Sequence, residues 1–101
     1  MTVGRALKGS QIRFLRAKGH HLKPIALAGK DGLSEAFLQA VGTSLECHEL
    51  IKVKLLETCA IDRHEAATEL AEKTGSHLVQ VLGRSILLYR AGEKRIIELP
   101  Q

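Results

Sequence analysis

Residues 29–32 read Gly-Lys-Asp-Gly and stand directly before a helix start. Glycine at both ends allows positive φ and lets a ligand approach the backbone without meeting a Cβ. A helix N-terminus offers unpaired N–H groups and a partial positive charge. Lys30 adds a full charge at the tip. Together these parts can clamp a phosphate. They also fit a tight strand-to-helix turn, and the four residues alone leave both readings open. Neither GxxxxGK[ST] nor GxGxxG is present, so mononucleotide and dinucleotide loops are excluded on pattern.

The surrounding charge favours the phosphate. Residues 1–30 carry Arg5, Lys8, Arg13, Arg16, Lys18, Lys23 and Lys30 with no acid, a local net charge of +7 within a total of +4. Residues 31–75 are net −5, and residues 76–101 are net +2. A polyanion meets the first third of this chain as a concentrated positive field. Arg13, Arg16, His20, His21, Lys23, Lys52, Lys54 and Arg84 join Gly29, Lys30, Asp31 and Gly32 as candidate contacts to nucleic acid. A sugar-phosphate backbone rewards several such cations at once.

Other chemistries fit less well. Cys47, His48, Cys59 and His64 lack the paired CxxC spacing of a zinc knuckle, so the two cysteines are expected to be packed thiols and no metal is expected. No nucleophile or carboxylate lies beside His20 and His21, and no catalytic motif appears, so the chain is expected not to be an enzyme and to need no cofactor. Aromatics are 3% of the 101 residues, too few for a base-stacking platform, and Phe14 and Tyr89 are expected in the core. Glu65, Glu69 and Glu72 read as a solvated helix face that could also meet a basic protein. With two cysteines, no signal-peptide pattern and no long apolar run, the expectation is a reduced cytoplasmic chain with no membrane span.

The elements that would position these groups follow from patterning. A helix is predicted over Gly9–Lys18, with Ser10 as its cap and Ile12 and Leu15 on its apolar stripe. Ile25-Ala26-Leu27-Ala28, bounded by Pro24 and Gly29, reads as a buried strand. Ser34, Glu35, Leu33 and Leu38 supply a cap, a first-turn acid and a hydrophobic staple for a second helix through Phe37, Val41 and Leu45 to about Cys47. Ile51, Val53 and Leu55 alternate with Lys52 and Lys54, which predicts a half-buried strand with a cationic outer face. Asp62 and Glu65 start a third helix, with Ala66, Ala67, Leu70 and Ala71 inward, ending at Gly75. His77–Leu82 and Ser85–Arg90 flank Gly83-Arg84 as a hairpin. Arg95–Leu99 is left open between an edge strand and a disordered tail.

The order α-β-α-β-α-β-β implies an α/β fold, a two-layer sandwich with a mixed four-stranded sheet. The helices are expected on one face, with Lys52 and Lys54 on the other, partly open face. One domain is expected over residues 1–101, with a core at about 8–90 and a tail at 91–101.

Three strings, HHLKPIALAGKDGLSEAFL, HELIKVKLL and DRHEAATELAEKTGSHLVQVLGRSILLYR, closely resemble the CRM domain (chloroplast RNA splicing and ribosome maturation) in its bacterial stand-alone, YhbY-type form. The resemblance spans roughly residues 8 to 90 and keeps the order of every motif. It implies a fold like the C-terminal domain of translation initiation factor 3. It implies RNA binding, with bacterial members associated with large-subunit precursors and plant relatives with group II intron splicing. The family's GxxG loop, placed as in KH domains, falls on Gly29–Gly32. Asp31 stands where relatives often carry an uncharged residue, and its charge would repel a close phosphate. The function expected is a monomeric RNA-binding protein on ribosomal RNA or large-subunit precursor particles, with no membrane partner. Other structured RNA, intron or transfer RNA, is the first alternative. Protein docking through the acidic third helix is the second.

Overall fold

The strongest local signals form as read. In the computed structural model, which describes residues 6–101, α2 (Glu35–His48) begins where the Ser34 Oγ accepts from the Phe37 N–H at 3.2 Å. α3 (Arg63–Thr74) begins where Asp62 Oδ2 accepts from the N–H groups of His64 and Glu65, and ends at Gly75 in the left-handed region, φ +62°. Arg5, counted above among the cations, lies outside the described residues. α1 spans Gly9–Gly19, and its cap is Lys8 rather than the expected Ser10. The Lys8 N–H donates to Gln11 Oε1 at 2.9 Å, so a residue inside the helix turns back to satisfy its entry.

Four strands, β1 (Ala26–Ala28), β2 (Leu50–Leu55), β3 (His77–Leu82) and β4 (Ser85–Tyr89), form one mixed sheet in the order β1-β2-β4-β3. β1 and β2 are parallel, and β4 is antiparallel to both its neighbours. β1, β2 and β3 therefore run the same way, as strands joined through helices should, and the hairpin inserts β4 between β2 and β3. A central strand loses both faces to the interior. After the half-buried Ser85, its residues Ile86, Leu87, Leu88 and Tyr89 are all buried.

Alternation along β4 then divides the core in two. Ile86 and Leu88 join Ile51, Val53 and Leu55 of β2 against Val41 and Leu45 of α2 and Ala66, Ala67 and Leu70 of α3. Leu87 and Tyr89 join Leu50 and Val79 on the opposite face, against Leu15 of α1. The expectation that the helices share one face holds for α2 and α3 and fails for α1. Crossover geometry constrains only helices that join two strands of the sheet. α1 precedes β1 and is free to cover the second face. Gly19 lets it come close: a Cβ there would lie 2.5 Å from Leu87 Cδ2.

β1 corrects a second expectation. It reads as a buried strand, yet only its alanines face the helices. Ala28 is buried and Ala26 is half-buried in the α2/α3 cluster, while Leu27 between them is 55% exposed on the other face. The tail is neither of the two alternatives held open for it. It forms no strand, but Ile97 and Leu99 pack into the second cluster and Gln11 Nε2 donates to the Pro100 carbonyl at 3.0 Å.

Candidate nucleic-acid interface

The Gly29–Gly32 turn closes through the Gly32 N–H donating to the Gly29 carbonyl at 3.0 Å. Lys30 and Asp31 stand exposed at its tip, and the cap of α2 follows two residues after Gly32. The two glycines serve different needs. Gly32 has φ +61°, the left-handed region that L side chains rarely adopt. Gly29 keeps an ordinary φ but sits against the β2–α3 loop, where a Cβ would meet Thr58 Oγ1 at 3.3 Å. The turn is therefore held at its base by packing, while its tip faces solvent.

This turn lies at the carboxyl end of β1, beside the carboxyl end of β2, since Ala28 pairs with Leu55. The β3–β4 turn arrives at the same end, where the Leu55 N–H donates to the Arg84 carbonyl at 2.8 Å. Arg63 Nη1 donates to the Gly83 carbonyl at 3.2 Å, which adds a cation that sequence reasoning missed. The first turns of α2 and α3 both start here, with positive helix ends. Acids are present too: Asp31, Glu35 and the capping Asp62. The charge at this end is mixed.

The second sheet face is less mixed. Lys52 and Lys54 lie on it, because the alternating Ile51, Val53 and Leu55 face α2 and α3. Lys18 at the end of α1, Lys23 in the connection to β1, and Lys52 line one groove of about 470 Å³ with Leu22, Ile25 and Ile97. Among the described residues no carboxylate lines that groove; its remaining residues are His48, Leu50 and Ile51. His20 and His21 follow α1 directly, both exposed, their rings edge to face at 5.5 Å. Arg16 points along α1 to β3: with the Gln80 amide oxygen turned toward it, that oxygen accepts from Nε at 3.0 Å and Nη2 at 3.2 Å. Arg13 reaches back toward Gly9 at the far end of α1. The structure thus gathers Lys23, Lys52 and Lys54 on one face with Lys18, which sequence reasoning counted but did not select. It sets Lys30 and Arg84 at the adjoining end and leaves Arg13 apart.

The groove's far wall depends on a buried acid. Glu49, fully buried with φ +66°, ends α2, and its carboxylate accepts from the Gly92 N–H at 2.7 Å and the Ile97 N–H at 2.8 Å. Burial pushes this carboxyl up, but the backbone donors of Ile97, Gly92 and Ile96, with the charge of Arg95, outweigh it and hold the pKa below the ordinary value. Such a sparsely populated positive-φ backbone costs a non-glycine residue about 1–3 kcal/mol. The two hydrogen bonds offset it and pin the tail that carries Ile97 into the groove. Nearby, burial followed by the Glu49 charge raises the Tyr89 hydroxyl pKa, against an opposing effect of Arg95.

Phe14 and Tyr89 sit as expected. Tyr89 is buried, and Phe14 is half-buried in the second cluster with Lys18 Nζ 5.6 Å from its ring centre. Cys59 packs on the α2/α3 cluster, whereas Cys47 is exposed on α2 and is not the packed thiol expected. α2 buries Val41 and Leu45 four residues apart, which turns position 47 outward.

Comparison with known proteins settles the family. The model of the CRS1/YhbY (CRM) domain matches residues 7–90. The chain belongs to the CRS1/YhbY (CRM) domain family. It is 43% identical over 95 residues to the probable RNA-binding protein YqeI of Bacillus subtilis, covering 93% of this chain and 99% of that one. It is 34% identical over 95 residues to a Haemophilus influenzae protein named RNA-binding protein, covering 94% and 96%. The solution structure of the hypothetical protein SAV1595 from Staphylococcus aureus superposes with a TM-score of 0.80 at 43% identity, covering 94% of this chain and all of that one. The CRM fold is therefore shared by sequence and by shape. Among the described residues, no helix of this CRM chain is long and apolar enough to cross a membrane.

Proposed function

We propose that this CRM chain is a monomeric, single-domain RNA-binding protein that grips structured ribosomal RNA through its phosphates and assists assembly of the large ribosomal subunit in the cytoplasm. It does no catalysis in this role. The observation that carries the reading is the groove of Lys18, Lys23 and Lys52, lined by no acid among the described residues and continuous with Lys54 on the part of the second sheet face that α1 leaves uncovered. The names of YqeI and the Haemophilus influenzae relative support RNA as the partner. Lysines and helix-end amides recognise phosphate and shape rather than base sequence, which suits folded RNA. The Gly29–Gly32 turn adds Lys30 and the positive end of α2 at the rim, with Asp31 tempering its charge.

Crosslinking the protein to RNA in growing cells and sequencing the attached fragments tests the identity of the partner. Recovery of precursor large-subunit RNA is expected. Fragments dominated by transfer RNA or introns would replace ribosomal RNA as the partner, and no enrichment over a mock sample would overturn the reading.

A further inference from the structure

The uncovered part of the second face is not only cationic. Leu27 pairs with Lys54, Lys54 with Ser85, and Ser85 with Leu82, so one row crosses all four strands. Residues paired in register share a face, and the neighbours Ala26, Ala28, Val53, Leu55, Ile86 and Val81 all belong to the opposite, α2/α3 side. Leu27 is 55% exposed and Leu82 is 62% exposed. Ile25 and Leu22, beside the lysine groove, are 46% and 38% exposed. The row is about 14 Å across at the usual strand spacing. Of the other sheet leucines, Leu50, Leu55, Leu87 and Leu88 are buried and Leu78 is 38% exposed; Leu27 and Leu82 are the most exposed, at either end of a row with a lysine between.

We propose that this row is a contact surface for the faces of unpaired RNA bases, so that the protein prefers RNA carrying single-stranded nucleotides; the proposal rests on the RNA reading above. A duplex hides its base faces in the stack and shows phosphate outside, which would satisfy the lysines and leave the leucines in water. An unpaired stretch offers both together: phosphates for Lys52 and Lys54, and apolar base faces for Leu27 and Leu82. The row holds no amide or guanidinium to read base edges; its polar members are Lys54 and Ser85. The preference is therefore for unpaired over paired, not for one base over another. A protein partner would need an acidic surface with apolar groups set among its acids, and the acid-free lining of the adjoining groove favours the polyanion.

The test uses three probes with matched phosphate number: an oligouridylate about a dozen nucleotides long, an abasic ribose-phosphate strand, and a fully paired hairpin. Wild-type protein is expected to bind the oligouridylate about tenfold more tightly than the abasic strand, the order expected for covering two leucines. The Leu27→Thr/Leu82→Thr double variant keeps β-propensity and touches only exposed positions. It should bring oligouridylate down to the abasic level, with melting temperature and salt dependence unchanged. Lys30→Ala should weaken both strands alike. Equal binding of the oligouridylate and the abasic strand by wild type, with Lys30→Ala still weakening both, would overturn the base surface and leave the phosphate reading standing. A base preference that survives in the double variant would place the bases elsewhere and free the row for a protein partner, which also overturns it. Salt-insensitive or absent binding of all three probes would remove the RNA reading and this proposal together.

Discussion

The second face of the sheet has two halves built from the same strands with opposite fates. Toward one end, Leu50, Val79, Leu87 and Tyr89 are sealed beneath Leu15 of α1 and the Ile97 and Leu99 of the tail. Toward the other, Leu27, Lys54, Ser85 and Leu82 face solvent. Alternation runs unbroken through both halves in β2 and β4, while β3 shifts register between Leu78 and Gln80. What differs is the cover, and the side chains follow it: mainly apolar where α1 lies above, with Gln80 reached by Arg16, and lysine among leucines where no helix lies. The first half stabilises the fold. The second contributes little stability and leaves its surface open to solvent.

That contrast can be broken from the covered side first. Leu15 is fully buried, and Leu15→Ala should cost about 2–5 kcal/mol in urea unfolding through a cavity. A loss below about 1 kcal/mol would mean that α1 is not a sealed cover. Gly19→Ala should cost about 1–3 kcal/mol, because the new methyl meets Leu87, itself buried and unable to swing away. Glu49→Gln should cost about 1–3 kcal/mol at neutral pH, since one of the two tail N–H donors loses its acceptor and the other keeps only a neutral one. The pH dependence sharpens this. The Glu49 pKa is lowered in the folded chain, so its stabilisation is complete above the unfolded value near 4.5 and disappears as pH falls through the lower, folded value. Wild type and Glu49→Gln should therefore converge in acid. If their stability difference is the same at neutral and acid pH, the ionised carboxylate is not the clamp. On the open side, Lys30→Ala should leave the melting temperature within about one degree while weakening RNA several-fold, measured by anisotropy.

Much of this was legible in the chain. Ser34 with Glu35, Asp62 with Glu65, and Gly75 are local signals: each sits within a few residues of the bond it makes, so α2 and α3 start and stop where the sequence places them. Lys52 and Lys54 are local in the same sense, through their alternation with Ile51, Val53 and Leu55. The features that escaped depend on distant partners. Which strand lies between β2 and β3 is decided by pairing across the whole sheet, though the unbroken run Ile86–Tyr89 marks a strand needing cover on both faces. Glu49 finds its donors 43 and 48 residues away, and nothing around it announces them. The Gly29–Gly32 turn is legible as a turn, but its seat against Thr58 and Ile61 is not. In β1 the signal was present and inverted: Ile-Ala-Leu-Ala alternates large with small, and the small residues face the helices.

The lysines of the open half carry the central claim, and the salt dependence of RNA affinity tests it most directly. Removing one lysine–phosphate pairing should flatten the slope of log affinity against log salt by about 0.7–0.9. The Lys52→Ala/Lys54→Ala double variant should therefore bind a structured ribosomal RNA fragment with a slope lower by about 1.5, while unfolding as wild type does. An unchanged slope, with affinity equal to wild type across the titration, would contradict the account.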